Sequence, residues 1–117
     1  MITGIGIDII EVQRVKKLAE KNPRFFKRIF TPEEIRYCSG KKNQYQHLAA
    51  RFAAKEAFFK ALGRNVGWTK IGIINLPSGK PQLHIDIKEA LPFEKAHVSL
   101  AHLSTHATAI VILESSQ

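Results

Sequence analysis

The stretch HLAARFAAKEAFFKALG, from His47 to Gly63, is the part of the chain that the rest must pack around. At about 100° per residue, Leu48, Phe52, Phe58, Phe59 and Leu62 fall on one face of a helix. Ala50, Ala53, Ala54, Ala57 and Ala61 fall on the opposite face. Large side chains fill a core, and an all-alanine face lets another backbone come close, so the pattern predicts a long helix with protein on both flanks. Its charges then need a reason. Arg51 and Lys55 are four residues apart, as are Glu56 and Lys60, and Lys55 lies within the large apolar arc, where an unpaired ammonium is costly to bury. Helix-side ion pairs and snorkelling lysines would explain such charges on an ordinary surface helix. On a helix covered from both sides, they point to a site.

Outward from this helix, the 117 residues, 44% of them hydrophobic, are enough for one domain spanning 1–117 with a modest core. No apolar run is long enough to cross a bilayer, and the chain opens on a strand-like pattern rather than a signal sequence, so a cytoplasmic protein is expected. The single Cys38 has no internal disulfide partner and reads as a buried spectator thiol, and no Cys or His cluster has zinc-ligand spacing. Eighteen Lys and Arg against ten Asp and Glu give a net charge of +8 and a pI near 9.9. This balance calls for an anionic partner: nucleic acid, membrane surface, phosphorylated small molecule or acidic protein.

The segment Ile2–Ile10 reads as a strand with Ile5, Ile7 and Ile9 on one face and Gly4, Gly6 and Asp8 on the other. Two glycines beside a carboxylate suggest a close approach to the backbone there, and a carboxylate in an open slot suits a hard cation. Asp8 could equally end the strand and cap the helix that follows. Val12, Val15, Leu18 and Ala19 repeat at helical spacing and turn Arg14, Lys17 and Lys21 to solvent, with Asn22-Pro23 as the break. Pro23–Phe30 extends that basic surface with Arg24, Lys27 and Arg28. Thr31-Pro32-Glu33-Glu34 is a helix start, with Thr31 as N-cap and Glu34 at the capping-box position, which makes its acids mostly structural. After Gly63, a C-cap, the pattern changes to period two. Short strands are expected at 71–76 and 82–87, joined by Pro77-Ser78-Gly79-Lys80-Pro81, and two more at 97–103 and 107–113 about Ser104-Thr105-His106. This order predicts an α+β fold with one antiparallel sheet packed on a long central helix.

Taken together, MITGIGIDIIEVQRV, FTPEEIRYC, RFAAKEAFFKALG and the late Ser99-Leu100-Ala101-His102 resemble the holo-[acyl-carrier-protein] synthase family, the small phosphopantetheinyl transferases, over nearly the whole chain. That resemblance implies transfer of the 4'-phosphopantetheine arm from coenzyme A to a serine of apo acyl carrier protein, with release of adenosine 3',5'-bisphosphate, in support of fatty acid biosynthesis. It implies that Asp8 and Glu56 hold a magnesium ion and that Lys60, one turn from Glu56, meets the diphosphate. Glu56 would take the serine proton, directly or through a water on the metal. Lys80 and His102 resemble residues lining the coenzyme A site, and Arg51 and Lys55 are expected phosphate contacts. Arg14, Lys17, Lys21, Arg24 and Arg28 resemble the surface that docks the acidic carrier protein. The family also implies a homotrimer with active sites between subunits, a state that the all-alanine face and the small chain would suit.

The residues support this chemistry on their own terms. Magnesium prefers one or two carboxylates plus water and phosphate oxygens, and phosphoryl transfer needs charge neutralisation and alignment more than covalent help. A nucleic-acid-binding module would explain the pI and the phenylalanines among arginines, but it leaves Gly6, Asp8 and Glu56 without a task. A catalytically dead docking subunit would not need Asp8, Glu56 and Lys60 intact. Neither nucleic acid nor membrane is expected as a partner.

Overall fold

The computed structural model describes residues 1–116. Strand β1 (Ile2–Glu11) leads directly into helix α1 (Val12–Lys21), followed by α2 (Pro23–Ile29), α3 (Pro32–Ser39) and the long α4 (Gln44–Leu62). A 3-10 turn at Trp68–Lys70 then opens the second half, with β2 (Ile71–Asn75), β3 (Pro81–Ile85), β4 (Lys95–His102) and β5 (His106–Glu114). The α+β arrangement on a long helix holds, but the strands form two antiparallel sheets rather than one. β1, β5 and β4 make a three-stranded sheet in that order, and β2 pairs only with β3. The irregular 86–94 segment between β3 and β4 separates the two.

Helix α4 is covered on both flanks, as its residue pattern predicts. Ala49, Ala50, Ala53, Ala54 and Ala57 are buried, as are Leu48, Phe58 and Phe59. On the large side, Phe52 stacks on Trp68 at 5.1 Å and Phe59 meets the same indole edge-on at 5.1 Å. On the alanine side lies β1: a Cβ at Gly4 would strike the Ala61 carbonyl and one at Gly6 the Ala57 carbonyl. The alanine face is therefore filled within the chain by the glycines of β1 and is not left free for a second copy. An exposed apolar strip lies on the opposite face of β1, where Ile5, Ile7 and Ile9 are 61%, 63% and 66% exposed.

Local signals explain the breaks. The Asn22 side chain accepts from the Phe25 amide, starting α2. Thr31 and Glu34 form the reciprocal capping box, and Gly63 closes α4 with a left-handed φ of 93°. Asp8 caps nothing, because the strand continues three residues past it to Glu11, the N-cap position of α1. Cys38 is fully buried, and burial pushes its thiol up to about 11, which leaves it an inert core group.

Candidate active site

The close contact between β1 and α4 delivers Asp8 to the flank of α4 that carries Glu56 and Lys60. The Lys60 ammonium lies 3.1 Å from Asp8 Oδ1 and donates to the Ile7 carbonyl at 3.0 Å. Its side chain remains half exposed. Glu56 stands one helical turn before Lys60. Its carboxyl is pushed above the usual carboxylate range, first by partial burial and then by the negative charge of Asp8, with Lys60 opposing. The Thr108 hydroxyl donates to the Asp8 backbone carbonyl at 2.7 Å and steadies the strand at this point. Two carboxylates brought to one flank of the helix, the charge of one felt by the other, are the donor type that a hard divalent cation such as magnesium takes. Asp8 and Glu56 are the residues that could hold it.

A second cluster lies farther toward the N-terminal end of α4. Arg51 is 2% exposed. It donates to Asn75 Oδ1 at 2.5 Å and to the His47 carbonyl at 3.2 Å, and its guanidinium sits 4.6 Å from the centre of the Tyr37 ring. Its Nε has no partner among the described residues. With His47, His102, Asn75 and Gly79 it lines a cavity of about 260 Å³. His102 shares a hydrogen bond with Gln46 Oε1 at 2.9 Å and meets the His47 ring at 5.0 Å. Burial pulls His47 below its ordinary value, assisted by His102, Arg51 and Lys41. The β2–β3 turn supplies Asn75 and Gly79 to this cavity, and its Lys80 is exposed and lines the adjoining one with Gln82, Lys95 and His97. Arg51, His102 and Lys80 thus surround two neighbouring hollows at the edge of the sheets. The sequence pattern carried no signal for Asn75, Gln46 or His47, because nothing in the spacing of polar residues says which loop will meet which helix.

Lys55 is a correction. It was expected at a phosphate, but it is wholly buried, with its ammonium 2.6 Å from Glu34 Oε1 and donating to the Ile29 carbonyl at 2.6 Å and the Trp68 carbonyl at 2.9 Å. An ammonium has three donors, and all three are spent inside the fold, so none is left for a ligand. Burial lowers its proton affinity, and the Glu34 carboxylate opposes that. Arg14, Lys17 and Lys21 on α1, and Arg24 and Arg28 on α2, are all solvent-facing.

Residues 4–111 match the model of the 4'-phosphopantetheinyl transferase superfamily. The chain belongs to that superfamily. Among its relatives, the holo-[acyl-carrier-protein] synthase of Geobacter sulfurreducens is 43% identical over 97% of this chain and 98% of its own length. That of Clostridium tetani is 42% identical over 97% of each. The solved holo-(acyl-carrier-protein) synthase of Bacillus anthracis, a complex with CoA (3',5'-ADP), superposes with a TM-score of 0.85 at 39% identity over 99% of both chains. The Helicobacter pylori synthase in complex with coenzyme A superposes with a TM-score of 0.84 at 27% identity over 94% of this chain and 99% of that one. This transferase is accordingly an enzyme of the holo-[acyl-carrier-protein] synthase kind, which places phosphopantetheine on acyl carrier protein. Among its described residues, no helix is long and apolar enough to cross a membrane.

Proposed function

We propose that this transferase moves the 4'-phosphopantetheine arm from coenzyme A to a serine hydroxyl of apo acyl carrier protein in a magnesium-dependent reaction. It releases adenosine 3',5'-bisphosphate and supports fatty acid biosynthesis in the cytoplasm. The observation that carries this reading is the grouping of Asp8, Glu56 and Lys60, in which an ammonium 3.1 Å from one carboxylate stands a turn from a second carboxylate whose proton affinity is raised by partial burial and by the first.

In this reading, Asp8 and Glu56 would hold the magnesium, which when bound would supply positive charge to the diphosphate. The serine Oγ bonds to the phosphorus that bears the pantetheine, and the bond from that phosphorus to the bridging oxygen breaks, leaving the bisphosphate as the departing group. Glu56 takes the proton from Oγ. Lys60, half exposed, neutralises charge on the departing phosphate oxygen or gives it a proton. Arg51, His102 and Lys80 bind the remainder of the coenzyme, and the buried Arg51 supplies positive charge that no carboxylate in its own cluster cancels. Arg14, Lys17, Lys21, Arg24 and Arg28 steer and dock the acidic carrier protein. Copies assemble as a homotrimer with active sites between subunits. The exposed Ile5, Ile7 and Ile9, a contiguous apolar strip on an otherwise basic chain, support such an interface.

The test is incubation with apo acyl carrier protein, coenzyme A and magnesium, with mass spectrometry reading the added arm. Asp8→Ala and Glu56→Ala should abolish the mass shift while circular dichroism shows the fold retained. Normal transfer by either variant would end the metal assignment.

A further inference from the structure

The buried pair Lys55 and Glu34 joins elements far apart in the sequence. Glu34 Oε1 accepts from the Thr31 amide at 2.9 Å as well as from Lys55, and its Oε2 accepts from the Ile73 amide at 3.0 Å. Lys55 adds the last carbonyl of α2, that of Ile29, and the carbonyl of Trp68. Five segments therefore meet at two charges: the end of α2, the start of α3, α4, the 3-10 turn and β2. A buried ion pair is a weak source of stability, since apolar residues of similar volume often do as well or better. What it supplies instead is direction, because each of its bonds holds only at one distance and angle.

Lys55 is also the residue immediately before Glu56. We propose that the Lys55–Glu34 pair is a positioning device for the catalytic flank: it fixes the rotation of α4 about its own axis, so that Glu56 is presented to Asp8, and ties that setting to the carrier-facing helix α2. The opposite side of α4 is located by Gly4 and Gly6 against Ala61 and Ala57. The helix is thus held between a steric contact and a polar hub, with Glu56 between them. Neither Lys55 nor Glu34 touches substrate. Their effect reaches the reaction through Glu56 alone, and so the inference rests on the metal and base roles proposed above.

The experiment compares Lys55→Met, Glu34→Gln and the double variant Glu34→Leu with Lys55→Met. Urea unfolding, kcat and KM for coenzyme A and for carrier protein are read, together with Mn²⁺ binding to the free enzyme by electron paramagnetic resonance. The double variant should regain wild-type stability while kcat and Mn²⁺ affinity stay down about 10- to 100-fold, the cost typical of losing a group that orients a metal ligand, with KM for coenzyme A little changed. Should Lys55→Met fail to fold, Glu34→Gln, which keeps the shape but removes the charge and turns one of the two accepting oxygens into a donor, should show the same pattern. Recovery of kcat and Mn²⁺ binding along with stability in the double variant would overturn the proposal, leaving the pair purely structural. A raised KM for coenzyme A in Lys55→Met alone would overturn it by making Lys55 a direct contact. Asp8→Ala run in parallel separates the two levels: full activity and Mn²⁺ binding there would remove the metal reading itself. Their loss there, with a normal double variant, would remove only the positioning role.

Discussion

The α-carbon of Gly6 faces the Ala57 carbonyl so closely that a β-carbon there would sit far inside the van der Waals contact distance to the oxygen. Ala57 follows Glu56, and Asp8 lies two residues beyond Gly6 on the same face of β1, so the separation of the two carboxylates depends on this contact. Gly6→Ala should push β1 off α4, destabilise the fold by about 1–3 kcal/mol in urea unfolding, and reduce transfer further than the stability loss accounts for. An unchanged unfolding midpoint would show that the strand can give way without cost.

Charge reversal on α1 separates docking from chemistry. Arg14 is exposed and belongs to the proposed docking surface, so Arg14→Glu should raise KM for carrier protein severalfold and leave KM for coenzyme A near its original value. The difference should shrink with added salt, which screens surface charges beyond about 10 Å at 0.1 M. Equal effects on both substrates would count against this surface.

Ile7 is at the centre of the exposed isoleucine strip and 63% exposed. Ile7→Lys should leave the secondary structure intact and convert the proposed trimer to monomers in sedimentation velocity, with transfer falling in step. A full-sized assembly carrying the charge would place the interface elsewhere.

His47 is held below its ordinary value near 6.5 by burial and by the positive groups around it. The folded chain therefore binds this proton less readily than the unfolded chain, and stability contributed by the neutral ring is lost as pH falls through about 6.5. The urea midpoint should decline on acidification through that range, before the lowered carboxylates Glu94 and Glu114 begin to titrate. His47→Phe should flatten that part of the curve, and an identical slope in the variant would assign it to another group.

Much of the proposed catalytic flank was legible in one dimension because it lies on two elements with strong local patterns. Gly4, Gly6 and Asp8 share a strand face by the two-residue period, and Glu56 and Lys60 share a helix flank by the four-residue one. The capping box at Thr31 and Glu34 was legible for the same reason, as a local exchange of hydrogen bonds within three residues. Lys55 was not. Its spacing from Arg51 and its place in the apolar arc marked it as unusual, but its partners come from residues 29, 34 and 68, and no local period encodes contacts of that range.

The order of residues was enough for the two-sided burial of α4, the break points between helices and the candidacy of Asp8, Glu56 and Lys60, since these follow from periodicity, turn chemistry and charge. Packing alone settled which surface each face would meet. The alanines accept the glycine strand of the same chain, the isoleucines face outward, and the strands divide into two sheets, because the burial of a face depends on every other element competing to cover it.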